Sequence, residues 1–407
     1  MHPLHGPDEF PLENRGPCEV QIVRSSADWS HGLAKAETSI QTAYRDTIEN
    51  AQHFVYIENQ FFITATGDKQ HPIHNQIGRA IVNAVIRAHN ENRKFRVIII
   101  IPAIPGFPGD LREDSATGTR AIIDYQYKSI NRGENSIFGQ LQKEGIDPTK
   151  YIFVFNLRIY DRIHTTDALL SRQKETGVGY EELQAANAKD VLGAKGVTQD
   201  DSSSSASSIL GSAEEERMAG RRKLFEEDME LTTHAHDSVA KAAMKGSKPL
   251  TDETWDDGVD QEKMDFFQEE LYVHAKLLIV DDETMIVGSS NINDRSQTGD
   301  HDSELSAVVK HGPTVSSLRK QLWMEHLGLL PAQELEGDND PNAQPPGEGE
   351  NRCEVDPLVE DAMSNKVWKV WTSRATTNTE IYRYLFHPDP DDCSKLPFPL
   401  TPSIHRI

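Results

Sequence analysis

The residues best suited to chemistry lie in one stretch, Tyr272-Val273-His274-Ala275-Lys276-Leu277-Leu278-Ile279-Val280-Asp281. Its apolar run predicts a strand from Tyr272 to Val280. Alternate residues of a strand share a face, so His274, Lys276 and Leu278 project together while Val273, Ala275 and Leu277 point the other way. An imidazole so placed can attack phosphorus and split one displacement into two through a covalent intermediate. The Lys276 ammonium beside it would stabilise oxygens that gain charge in the transition state. Further on, Gly288-Ser289-Ser290-Asn291 is small and polar, which lets a backbone approach a ligand closely, and the Asn291 amide adds a donor for the same oxygens. Glu304, in Asp302-Ser303-Glu304, is a candidate to accept a hydrogen bond from the far ring nitrogen of a histidine and fix its tautomer. No carboxylate-rich cluster suits a divalent cation, so the expected chemistry uses neither metal nor cofactor.

Such groups need a rigid frame. Phe95 to Ile101 is a continuous β-branched run closed by Pro102, the pattern of a strand buried on both faces. Tyr151 to Phe155 is a second such strand and His53 to Ile57 a shorter one. Between them Ile77, Ile81, Val82, Val85 and Ile86 recur at helical spacing over His74 to Asn92, and Ala34 to Ala51 reads as a polar helix. After the lysine-bearing strand come a partner strand, Thr284 to Val287, then a strand at Leu305 to Val309 and a helix at Thr314 to Leu327. Strands separated by helices imply an α/β layer architecture: a mixed sheet flanked by helices. Around Trp368 and Trp371 the sequence predicts a short aromatic helix.

A lone His-x-Lys on a strand is ordinarily a polar strand face and nothing more. Here the string is longer, H-x-K-x4-D-x6-G-S-x-N, running from His274 and Lys276 through Asp281, Gly288 and Ser289 to Asn291. It closely resembles the HKD signature of the phospholipase D superfamily. Within it Asp281, the last strand residue before a turn, reads as a turn and packing residue and not as a participant in chemistry. A second block, Ile22-Val23-Arg24-Ser25-Ser26 with Tyr56-Ile57-Glu58-Asn59-Gln60-Phe61-Phe62-Ile63, resembles the segment between the two catalytic motifs of eukaryotic phosphatidylcholine-hydrolysing members. By itself Glu58-Asn59-Gln60 is a capped turn feeding a loop; the resemblance implies a place near the catalytic pocket. It covers Cys18 to about Ile163 and Glu269 to about Leu330, and more loosely Trp368 to Phe386. The serine-rich insertion described below is similar to those of filamentous-fungal members.

In that family two HKD histidines face each other across a pseudo-twofold axis. One attacks phosphorus and the other protonates the leaving alcohol. The resemblance implies that His274 is the motif-two histidine, usually assigned as the general acid in the two-domain enzymes, with Lys276 and Asn291 gripping phosphate oxygens. One motif alone leaves open which histidine is the nucleophile. The implied reaction converts phosphatidylcholine and water to phosphatidic acid and choline. No second His-x-Lys occurs in the 407 residues. The chain therefore reads as a C-terminal catalytic half that needs a second motif, from a homodimer partner or from an N-terminal half. A non-catalytic fragment that keeps lipid or partner binding is the alternative.

Composition narrows the partners. With 65 acidic against 42 basic residues the net charge is −23, opposite to the basic stripe that nucleic-acid binding demands. No apolar run reaches the roughly 18 residues that span a bilayer, so contact with a phospholipid membrane is expected to be peripheral and the location cytoplasmic. Three cysteines, Cys18, Cys353 and Cys393, make no disulfide framework and show no metal-ligand spacing. Only 37% of residues are hydrophobic, which predicts unfolded segments. The expected divisions are an unstructured leader (1–17) and the first part of the catalytic half (18–164). A disordered acidic and serine-rich insertion (165–266) follows, then the second part with the HKD motif (267–330). A linker (331–357) leads to a tail (358–407) that packs on the domain.

Overall fold

The computed structural model describes residues 18–68, 70–106, 116–162, 266–329 and 355–386. The leader, nearly all of the expected insertion, most of the linker and the tail beyond 386 lie outside the described residues. The chain divides into two units, Met1–Tyr160 with Gln268–Ile407, and Asp161–Phe267. Of the second, only 161–162 and 266–267 are described, as strand residues. The sheet and the site belong to the first.

The mixed α/β architecture expected from the pattern of strands and helices is the one the chain adopts. Eight strands run in the order β2-β1-β10-β9-β8-β3-β4-β5. Three are parallel: β3 (Phe54–Asn59), β4 (Arg96–Ile100) and β5 (Ile152–Phe155). Parallel neighbours need crossovers, supplied by α3 (Ile77–Asn90) and then by α4 (Thr117–Ile130) with α5 (Ile137–Lys143). The rest continues antiparallel through β8 (Lys276–Val280), β9 (Thr284–Gly288), β10 (Glu304–Lys310), β1 (Glu19–Ser26) and β2 (Glu37–Thr38). Two further strands, β6 (Arg158–Arg162) and β7 (Phe266–Glu270), form a small sheet of their own.

Both faces of the central strands are buried, which is why β4 reads as an unbroken apolar run. Val55, Ile57, Val97, Ile99 and Leu278 pack under Ile40, Tyr44 and Ile48 of α2 (Ser39–Asn50) and Ile77, Ile81 and Val85 of α3. On the other face Tyr56, Ile98, Leu277 and Ile279 meet Val315 and Trp323 of α7 (Gly312–His326) and Val367 and Trp371 of α8 (Asn365–Phe386). The rings of Trp323 and Trp371 meet edge to face with centroids 5.0 Å apart. That second layer does not extend over the β1–β10–β9 side. There Val20 (57% exposed), Ile22 (61%), Leu305 (56%) and Val287 (41%) form an open apolar strip.

Most element ends shift by a few residues from the sequence reading, and the larger departures have a reason of pairing or length. Strand β8 starts at Lys276, not Tyr272, because its neighbour β3 ends at Asn59, the residue opposite Lys276. Helix α2 starts at Ser39, not Ala34, because Glu37 and Thr38 pair with Ser26 and Ser25 as a short edge strand. The aromatic helix is long, 22 residues, since Val367, Trp371 and Ala375 fall on one buried face at helical spacing.

Candidate active site

The carboxyl ends of β3 and β9 and the amino ends of β8 and β10 meet at one edge of the sheet, and the chemistry-bearing residues gather there. Although 272–275 are not paired as a strand, the alternation holds: Val273, Leu277 and Ile279 join the tryptophan-side core, while Lys276 and Leu278 face the other way. Lys276 is 8% exposed. Its Nζ donates to Oε1 of Gln60 (2.9 Å) and to the backbone oxygen of His274 (2.7 Å). Both acceptors are neutral, so the lysine is oriented without a contacting counter-charge. Burial pushes its pKa below the ordinary lysine value, opposed by the nearby Glu304 carboxylate.

Lys276 thus bonds back to the His274 backbone, while the His274 side chain itself is exposed. Its imidazole makes no hydrogen bond among the described residues. The Tyr272 ring lies beside it, centroids 5.8 Å apart. Gln60 also donates through Nε2 to the Tyr272 hydroxyl, so a single amide holds both the lysine and the tyrosine that flank His274. Gly106 completes this wall: a Cβ there would meet the Tyr272 ring at 2.7 Å.

Asn59 is buried under the site and joins two strand ends. Its Oδ1 accepts from the backbone N–H of Phe61 (3.2 Å) and of Ile292 (3.1 Å). Asn291 is thereby fixed beside β3, and its side-chain oxygen is buried with no hydrogen-bond partner. Glu304 is held by two hydroxyls, those of Ser289 and of Ser296 (2.6 Å). No histidine ring contacts it among the described residues, so the expected carboxylate–imidazole contact is not present; serines occupy both carboxylate oxygens instead.

Four other residues of the sequence reading lie apart from this edge group or act within the scaffold. Asp281 sits at the opposite end of β8, with φ 56°, and its carboxylate accepts from the backbone N–H groups of Gln52 (2.6 Å), His53 (2.7 Å) and Phe54 (2.8 Å). Gly288 answers a close approach of β10 and not of a ligand, because an added Cβ would lie 2.3 Å from the Leu305 carbonyl oxygen. Asp302 forms a surface ion pair with Arg295 (2.8 Å). Glu58 faces the tryptophan-side core, where its carboxylate accepts from the Tyr56 hydroxyl and contacts Nε2 of His326 (3.0 Å). Alternation along β3 accounts for the split, since Tyr56 and Glu58 share one face while Asn59 takes the other.

Sequence reasoning missed Tyr272, Ser296 and Gln297. Gln297 donates to the Ser290 hydroxyl (2.8 Å) and to the Asn291 carbonyl (2.9 Å), pinning the loop from within the short helix α6 (Asp294–Gln297). One signal was available: Asn293 is a good N-cap residue, and its Oδ1 does accept from the Ser296 N–H (3.0 Å). No cluster of three or more His, Cys, Asp or Glu with metal-binding geometry occurs among the described residues, nor any helix long and apolar enough to cross a membrane.

The family described as Phospholipase D matches residues 16–234 and 239–364, most of the chain. The chain belongs to the phospholipase D family. It is 33% identical over 330 residues to Phospholipase D1 of Schizosaccharomyces pombe, covering 77% of this chain and 17% of that protein. Phospholipase D1 of Homo sapiens is 30% identical over 392 residues, 92% of this chain and 25% of that one. Phospholipase D zeta 1 of Arabidopsis thaliana is 28% identical over 395 residues, 93% and 25% respectively. The chain thus spans about a quarter or less of the length of these curated relatives.

Proposed function

We propose that this chain is the C-terminal catalytic half of a phospholipase D that hydrolyses phosphatidylcholine to phosphatidic acid and choline. The observation that carries the reading is the pairing of an exposed, unbonded His274 imidazole with a buried Lys276 whose own contacts are all neutral oxygens. Such a lysine has no counter-charge in contact with it and is open to pairing with an anion, and the Nδ2 of Asn291, the donor end of its amide, is the group that would grip phosphate oxygens beside it.

One imidazole attacks phosphorus and the P–O bond to choline breaks. The departing alkoxide takes its proton from a second imidazole. Water, deprotonated by that second imidazole, then attacks phosphorus; the P–N bond breaks and the first imidazole leaves with its electron pair. His274 can fill either role but not both, so the reading requires a second HKD histidine, from a homodimer partner or an N-terminal half. The open apolar strip supports this, because it reaches the site edge: Leu305 follows Glu304 and Val287 precedes Gly288. A protein of this kind would be cytoplasmic and meet the membrane peripherally, and its serine-rich insertion fits a filamentous-fungal source.

The test is choline release from phosphatidylcholine vesicles, by the chain alone and by the chain mixed with the N-terminal half of a relative. Native protein in either assembly releases choline, and His274→Asn abolishes release. Turnover that survives His274→Asn would falsify the site. No turnover in any assembly, with vesicle binding retained, would instead favour a non-catalytic lipid-binding fragment. Protein from the active assembly, quenched at alkaline pH where a P–N bond persists, is examined for a phosphatidyl group on His274: its presence makes His274 the nucleophile, its absence makes it the acid.

A further inference from the structure

At the edge of the sheet opposite Lys276, where β4 and β5 begin, lies a cavity of about 550 Å³. Among the described residues its lining includes four cations, Arg93, Lys94, Arg96 and Lys150, and no carboxylate. In a chain of net charge −23 that is a local reversal of sign. Two of the cations, the exposed Lys94 and the buried Arg96, are held by neutral oxygens. Lys94 Nζ donates to the Met363 carbonyl and to Oδ1 of Asn365 (2.8 Å), and Arg96 donates to the Ala362 carbonyl (3.1 Å). Both have pKa values pushed down by burial, Arg96 to about 10, and Lys94 further by Arg96 itself; Asp361 opposes the shift in both. The other two are partly answered by acids, Arg93 by Glu91 (2.8 Å) and Lys150 by Asp147 (4.0 Å). Lys94 and Arg96 are thus two mutually repelling charges sharing one nearby carboxylate, Asp361, an arrangement that an anion would relieve.

The shape of the cavity narrows what that anion is. The Arg96 guanidinium lies 4.6 Å from the Trp368 ring centroid, so its plane is fixed as planar recognition of phosphate requires. The volume exceeds a bare phosphate, and Tyr151, Phe153 and Trp368 line it for an organic substituent. We propose that this cavity binds a phosphomonoester, a site separate from the catalytic edge and holding either a free phosphorylated metabolite or the headgroup of a phosphomonoester lipid. Dianionic charge favours a monoester over the diester of a phosphatidylcholine headgroup.

Binding is measured on the full chain carrying Lys276→Ala, so that the catalytic edge contributes little phosphate binding. One arm titrates glycerol 3-phosphate by calorimetry; the other sediments the protein with phosphatidylcholine vesicles with and without phosphatidic acid. Saturable binding in the first arm that falls at least tenfold with Lys150→Glu and Lys94→Met supports the site with a soluble ligand. Binding confined to phosphatidic acid vesicles, with the same loss, supports it with a lipid headgroup. No binding in either arm, or binding that both substitutions leave unchanged, overturns it. Lys150 is a surface residue, 73% exposed at its side chain, so Lys150→Glu retains a folded protein even where Lys94→Met does not. The outcome is independent of the proposed hydrolysis, because no part of the assay reads turnover.

Discussion

The two ends of strand β8 carry the two ends of the H-x-K-x4-D string, and they are bonded in opposite ways. At the Asp281 end every group is satisfied: three backbone N–H groups converge on one carboxylate, and the adjacent Asp282 pairs in two 2.8 Å bonds with a fully buried Arg319. At the Lys276 end bonding is left incomplete. Among the described residues His274 has no hydrogen bond to its ring, Asn291 keeps a buried oxygen without a partner, and Lys276 has only neutral acceptors. A strand about five residues long thus has one end built to hold and one end built to receive. Unsatisfied polar groups are costly in a buried place and persist where a ligand completes them.

The contrast breaks if substitution at the two ends has the same consequence. The largest effect belongs to the incomplete end. Lys276→Ala is expected to lower choline release by about a thousandfold, the scale of losing one preorganised oxyanion donor. Its unfolding midpoint in urea stays level or rises, since a desolvated charge is removed. A loss of stability without loss of rate in the active assembly would put Lys276 among the scaffold.

The satisfied end should behave in reverse. Arg319→Met removes a guanidinium that also donates to the carbonyls of Val359 (2.5 Å) and Glu360 (3.2 Å) and lies over the Trp323 ring, and it leaves Asp282 uncompensated. Breaking a buried pair from one side costs about 3 kcal/mol. Asp281→Ala should cost less, about 2 kcal/mol, because water can reach some of the three N–H groups it leaves. Both are read from urea unfolding, with turnover per folded molecule within about threefold of native. A hundredfold drop in turnover for Asp281→Ala at unchanged stability would make that residue part of the chemistry.

How much of this was legible beforehand depends on which bonds decide each feature. The alternation of 273–280 gave the faces correctly, because the pleat alone sets it. Where β8 begins was not legible, since it is fixed by the end of β3, more than two hundred residues earlier in the chain. Glu58 and Asn59 could have been parted by the same alternation, as Tyr56 and Ile57 already are. The hold of Gln60 on both Lys276 and Tyr272, and of Ser296 on Glu304, required the folded chain. Each is a side-chain bond whose partners become neighbours only when the strand edges meet.

The smallest effect sharpens the incomplete end itself. The pKa of Lys276 in the folded protein lies below its unfolded value, so between the two the unfolded chain binds more protons and stability rises with pH. Below the folded value the buried charge is a fixed burden. The advantage of Lys276→Met over native should therefore be largest at neutral pH and shrink as pH rises toward the ordinary lysine value of 10.5. Glu304 opposes the shift, although it touches only Ser289 and Ser296. Glu304→Gln keeps an acceptor for one serine, turns an amide N–H toward the hydroxyl oxygen of the other and removes the charge, so it lowers the Lys276 pKa further and moves the alkaline limb of the pH–rate profile to lower pH. The same substitution in a Lys276→Arg background should leave that limb in place, because a guanidinium does not titrate there. If the limb moves equally in both backgrounds, Glu304 acts on another group, and its coupling to the lysine is not what tunes the site.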